Sequence, residues 1–86
     1  MPAPSREQVV DTLRQFIVGE FLPGENPGAL LETTPLYDTG ILDSIATLKL
    51  VAFVEEQFGI TVEAHEASAR FDTVGGIADL VVAKSR

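Results

Sequence analysis

The sequence contains no cysteine and a single histidine, His65. Without cysteine the chain builds no disulfide framework and offers no thiolate of its own. One histidine cannot furnish a His-rich metal site, so no metal centre is expected. Basic residues are scarce: 6 Lys and Arg stand against 13 Asp and Glu, for a net charge of −7. Such a surface repels nucleic-acid phosphates and anionic lipid headgroups, which sets nucleic acid and membrane aside as partners. It steers basic protein surfaces toward itself instead. Long apolar runs are missing too. No stretch approaches the ~20 residues that span a bilayer, and no signal-peptide pattern opens the chain. The expectation is a soluble, cytoplasmic protein. Length is the last shortage. The 86 residues make a single domain, residues 1–86. A chain this short buries only about 60–65% of its unfolded surface. It cannot fill a core and also wall a deep catalytic cleft, which argues against a self-sufficient enzyme.

What is present reads as helix. Ser5-Arg6-Glu7-Gln8 fits a capping box, and Val9, Val10, Leu13, Phe16 and Ile17 follow at helical spacing. A first helix is expected from about Arg6 to Val18 or on to Phe21, with Gly19 and Pro23 as stop signals. Residues 22–43 carry Pro23-Gly24, Pro27-Gly28, Thr33-Thr34-Pro35 and Gly40, which is loop chemistry. A loop this long needs anchors. Leu30, Leu31, Leu36, Tyr37, Ile41 and Leu42 are available to pin it across the helix ends.

Asp43 and Ser44 are both good N-cap types, and Ile45 to Phe58 holds neither Gly nor Pro. Leu50, Val51, Val54 and Phe58 form the stripe expected to face the core. Ile45, Leu48 and Ala52 lie on another face, suited to a partner. Gly59 ends this second helix. A short helical segment is expected at about Ala64 to Ala69, and Phe71 reads as an anchor. Asp72 or Thr73 caps a last helix with Val74, Ile77, Ala78 and Val81 inward. Gly75-Gly76 costs its first turn roughly 1 kcal/mol per Gly relative to Ala, so fraying is expected there. The fold class is all-α: three longer helices and a short one in a small four-helix bundle with a long first loop.

Ser44 stands at a helix N-terminus after a loop. As an N-cap, such a serine satisfies an orphan amide, worth ~1 kcal/mol. As a modification site, it would place a phosphate ester by the positive end of the helix dipole. Other site readings fail. Asp43, Ser44 and His65 have the residue types of a hydrolase triad, but the serine sits on no Gly-x-Ser-x-Gly elbow. Glu55-Glu56 has no companion ligands for a metal. Glu63 and Glu66 read as surface acids, and Gly24, Gly28, Gly75 and Gly76 lie in no strand–loop–helix phosphate loop.

Thr39-Gly40-Ile41-Leu42-Asp43-Ser44-Ile45 resembles the Asp-Ser-Leu attachment motif of the acyl carrier protein family. The resemblance runs from about Val9 to Val82 and includes the long first loop, Glu55-Glu56-Gln57-Phe58-Gly59-Ile60 and Phe71-Asp72-Thr73-Val74. It implies that Ser44 is esterified with 4′-phosphopantetheine by a phosphopantetheinyl transferase using coenzyme A. Asp43 would cap the helix and help present the serine. The working thiol then arrives on the prosthetic group, which suits a chain without cysteine. The Gly-Gly-His/Asp-Ser pattern of modular peptide synthetase carriers is missing. The motif looks more like the free-standing D-alanyl and related aminoacyl carriers. Lys49 stands where fatty-acid carriers commonly have an acid.

The resemblance therefore implies a monomeric carrier without turnover of its own. It would hold an aminoacyl or short acyl thioester and move it between enzymes of a bacterial biosynthetic pathway. An adenylating loading enzyme or acyltransferase would charge it, and a downstream transferase or synthase would unload it. Ile45, Leu48 and Ala52 would give the apolar contact strip. Lys49 would distinguish the partners, and Asp38, Glu55, Glu56 and Glu66 would supply charge. The alternatives are a polyketide or fatty-acyl carrier and a non-covalent helical interaction module.

Overall fold

The computed structural model describes residues 5–26, 28 and 30–85. Pro27, one of the turn signals, lies outside the described residues. Four helices run in the order α1 (Arg6–Phe21), α2 (Ser44–Phe58), α3 (Ala64–Arg70) and α4 (Val74–Lys84), with no strand among the described residues. The all-α, four-helix expectation holds. No helix among the described residues is long and apolar enough to cross a membrane.

Helix α1 starts where the capping box predicts. The Gln8 amide donates to Ser5 Oγ at 3.1 Å, and the Ser5 amide donates back to Gln8 Oε1 at 3.1 Å. Gly19 does not stop the helix, which continues to Phe21 and is closed by Leu22. Aromatic packing offsets the glycine: Phe21 meets Phe16 edge-on at 6.0 Å, and Phe16 stacks on Phe53 of α2 at 3.9 Å. Leu13 and Ile17 on the inner face are fully buried.

In α2 the fully buried residues are Leu50 and Val54, with Ala46 close to it. These three form one i, i+4 row, so the core face centres on them. Val51 and Phe58, expected inward, fall on the flank of that row and are half-buried. Gly59 closes α2 in the left-handed region at φ 66°, its amide donating to Glu55 O at 3.0 Å.

The long loop is pinned by Leu30, Leu36 and Leu42, all buried, with Ile41 half-buried. Leu31 and Tyr37, expected to help, are instead 56% and 40% exposed. Each directly follows a buried leucine, and in this irregular backbone the second of the two side chains turns to solvent. The loop is also tied to the start of α4. Leu36 donates its amide to Asp72 O at 2.8 Å, and Gly75 donates to Glu32 O at 3.1 Å. Arg6 completes the tie, with Nη1 2.7 Å from Glu32 and Nε 2.7 Å from Asp79.

Thr73, rather than Asp72, caps α4: its Oγ1 accepts the Gly76 amide at 3.0 Å. The glycine pair has a packing cause. Gly75 is buried against the loop, and a Cβ on Gly76 would lie 2.5 Å from Arg70 O. The chain needs close backbone approach there, and only glycine allows it.

Helix α3 buries no side chain fully. Its tether is polar: Lys84 Nζ donates to Glu66 Oε1 and to Thr61 O, both at 2.7 Å. The Glu63 amide also donates to Glu66 Oε1. The Lys84 contact, and next the Glu63 amide, hold the Glu66 carboxyl below its ordinary range. The sign follows from linkage. A lowered carboxyl pKa gives stability that is complete above the unfolded value and is lost as pH falls through the folded one. Amide-exchange protection of α3 is therefore expected to fall selectively on acidification below the ordinary glutamate range. Glu66→Gln should weaken α3 protection at neutral pH and remove that acid-dependent component.

Candidate functional site

The site grows from the start of α2. Asp43 is the N-cap, and its Oδ1 accepts the Ala46 amide at 2.8 Å. Its carbonyl accepts the Thr47 amide at 2.9 Å and the Thr47 hydroxyl at 2.7 Å. Asp43 thus performs the capping that serine performs at many helix starts. Ser44, the first helical residue, is exposed, and its hydroxyl has no hydrogen-bond partner among the described residues. The first-turn amides of Ser44 and Ile45 are also uncommitted among the described residues. The first turn contains no acidic residue.

Free amides and the positive end of the helix dipole face the space around the serine hydroxyl, a setting that favours a phosphate ester. The donor set and the exposure both fit a phosphopantetheine group on that oxygen. His65 is exposed on α3, and no group of His, Asp and Glu among the described residues is arranged to hold a metal ion.

Beside the serine lies an uncovered apolar strip. Ile45 is 68% exposed and Leu48 70%, and Ala52 continues their side of the helix. Lys49 and Glu56 are exposed on α2, and Asp38 is exposed in the loop beside Tyr37. The other two acids named from the sequence have intramolecular work. Glu55 is half-buried, and its Oε2 accepts the Val62 amide at 2.9 Å. Glu66 holds Lys84. Their carboxylates brace the α2–α3 connection and α3, which leaves them less available than Glu56 and Asp38.

Two residues of this corner had no place in the site as read from the sequence, where Tyr37 was expected only to pin the loop. Thr47 bonds back to Asp43, and the Tyr37 hydroxyl lies 3.4 Å from Thr47 Oγ1. The hydroxyl residue three positions after Ser44 was a possible signal for Thr47. Nothing local pointed to Tyr37, whose loop first has to fold back over α2.

With this geometry, the family model for the phosphopantetheine attachment site matches residues 17–81. The chain belongs to that family. As a carrier domain it takes a covalent 4′-phosphopantetheine group. Among solved structures it is similar to KstB-PCP in its apo form, a peptidyl carrier protein. The two share 30% sequence identity over 92% of this chain and 88% of that one, with a TM-score of 0.73. No curated protein sequence matches the carrier domain.

Proposed function

We propose that this carrier domain is loaded at Ser44 and holds an aminoacyl or short acyl group as a thioester. It passes that group from a loading enzyme to a downstream transferase or synthase and has no turnover of its own. The observation that carries the reading is the division of labour at the start of α2. Asp43 takes the cap, and Ser44 keeps an exposed, uncommitted hydroxyl inside the matched span. When bound, the phosphopantetheine supplies the thiol that the chain lacks. The likeness to a peptidyl carrier and the cation at Lys49 support an aminoacyl cargo over a fatty-acyl one.

The protein residues have three tasks. Asp43 fixes the helix start and so the direction of the Ser44 hydroxyl. A phosphopantetheinyl transferase using coenzyme A activates that hydroxyl. Ile45, Leu48 and Ala52 then present an apolar face to each enzyme, edged by Asp38, Lys49 and Glu56. Rim charges of this kind govern encounter rate and partner choice, which suits a protein that docks and leaves repeatedly.

Incubation with coenzyme A and a broad-specificity transferase tests the assignment. Intact mass should rise by one arm, and peptide mapping should place it on Ser44. An arm on Ser5, Ser68 or Ser85, or no arm at all, overturns it. Docking has its own test. Leu48→Asp should slow loading by the cognate enzyme more than Glu56→Lys at moderate salt, because the strip is desolvated on docking while an exposed ion pair is worth only about 0–1 kcal/mol. Lys49→Glu should also weaken the native pairing. Loading rates across a salt series read all three, and a rate indifferent to salt and to Leu48→Asp removes α2 as the docking surface.

A further inference from the structure

The corner beside Ser44 presents an asymmetry of charge. Asp43 adjoins it in the chain, whereas the cation of α2, Lys49, is five positions further along. The loop from residue 22 to residue 43 supplies Glu25, Glu32, Asp38 and Asp43 and no basic residue. A phosphodiester on Ser44 would therefore have no Lys or Arg within four positions along the chain. Its non-bridging oxygens can only accept hydrogen bonds, so neutral donors must serve them.

The hydrogen-bond chain shows which side chain is free to donate. The Thr47 hydroxyl has one proton, and the 2.7 Å bond to Asp43 O takes it. The Tyr37 hydroxyl, 3.4 Å from Thr47 Oγ1, then has its own proton opposite an oxygen too distant for a strong bond. The phenol is an underused donor. It is also well placed. A helical side chain covers the turn N-terminal to its own Cα, so the Thr47 hydroxyl lies over the turn that begins at Ser44. Two contacts, 3.4 and 2.7 Å long, separate the phenol oxygen from the carbonyl joined to the Ser44 amide. Tyr37 is 40% exposed, so its ring is not sealed into the core.

We propose that Tyr37 is a positioning residue for the arm: its hydroxyl donates a hydrogen bond to the phosphodiester on Ser44 and holds the phosphate against the loop. This deepens the assignment of Ser44 and rests on it. The loop residue that the core rejects thus gains a reason to face outward. The amides of Ser44 and Ile45 would serve the phosphate from the helix end and Tyr37 from the side.

The chain has one tyrosine and no tryptophan, so a single labelled site reports on the contact. The experiment uses protein carrying ¹³C at tyrosine Cζ, before and after loading, with mass analysis confirming a full arm on Ser44. The expected result is a displaced Tyr37 Cζ resonance on loading and a displaced ³¹P resonance in loaded Tyr37→Phe relative to loaded wild type. Leu31→Ala, a change at an exposed residue of the same loop, should leave the ³¹P resonance in place. A Cζ resonance unmoved by a confirmed arm, a ³¹P resonance unmoved in Tyr37→Phe, or an equal displacement in Leu31→Ala overturns the Tyr37 contact alone. Failure of the mass analysis to find an arm on Ser44 overturns the contact and the attachment site together.

Discussion

Ser44→Ala will keep its fold and accept no phosphopantetheine. The loss of loading should be complete, because no other hydroxyl combines Ser44's exposure, uncommitted oxygen and place at the start of α2. The stability change should stay within about 0.5 kcal/mol, as for other surface substitutions away from caps and cores. That small value depends on which residue caps the helix. Asp43 does so, and Asp43→Ala should cost ~1 kcal/mol, within the usual range of about 0.5–2 for a lost cap. Thermal melts of the two variants, beside intact-mass analysis after transferase treatment, check both halves. A larger melt shift for Ser44→Ala than for Asp43→Ala would reverse the cap assignment. An arm on Ser44→Ala would remove Ser44 as the attachment point.

The parts of this fold that were legible in the sequence are those decided by neighbours along the chain. The Ser5–Gln8 capping box, the Asp43 cap and Gly59 at the end of α2 each act across three or four residues, so residue type and spacing suffice. The proposed attachment site belongs to this class, since Asp43, Ser44 and the outward residues Ile45, Leu48 and Ala52 lie on or at the start of one helix. Features decided by distant backbone were not legible. Gly75-Gly76 looks like a weak helix start until Glu32 and Arg70 O are brought against it. Glu55, Glu56 and Glu66 are alike in sequence, but only Glu56 is free of a bond to an amide or an ammonium group. Tyr37 and Thr47 meet across a loop whose path depends on where Leu36 and Leu42 are buried. The phase of α2 lies between these cases. Its pattern gave Leu50 and Val54, yet Ala46, too small to stand out as a core residue, sets the centre of the inner face.

With Phe58 on the flank of α2, the largest expected stability loss falls on Phe71. Phe58 is half-buried on the flank of α2, whereas Phe71 has no exposed surface and heads the fully buried side chains by volume. It stands where α3 ends, immediately before the residue whose carbonyl ties down Leu36. Phe71→Ala should therefore cost about 3–5 kcal/mol, from lost transfer energy plus the cavity left behind. A domain has only about 5–15 kcal/mol in total, and a short one sits near the lower end. The variant should be largely or wholly unfolded near physiological temperature. Phe58→Ala should remain folded with a clearly smaller loss, because Phe58 is only partly buried at the edge of the core. Urea titrations of the two variants followed by circular dichroism at 222 nm give the order directly. A Phe58→Ala loss equal to or above that of Phe71→Ala would place the core on the Val51–Phe58 side of α2. The Ile45–Leu48 strip would then be rotated away from the position that makes it a docking surface.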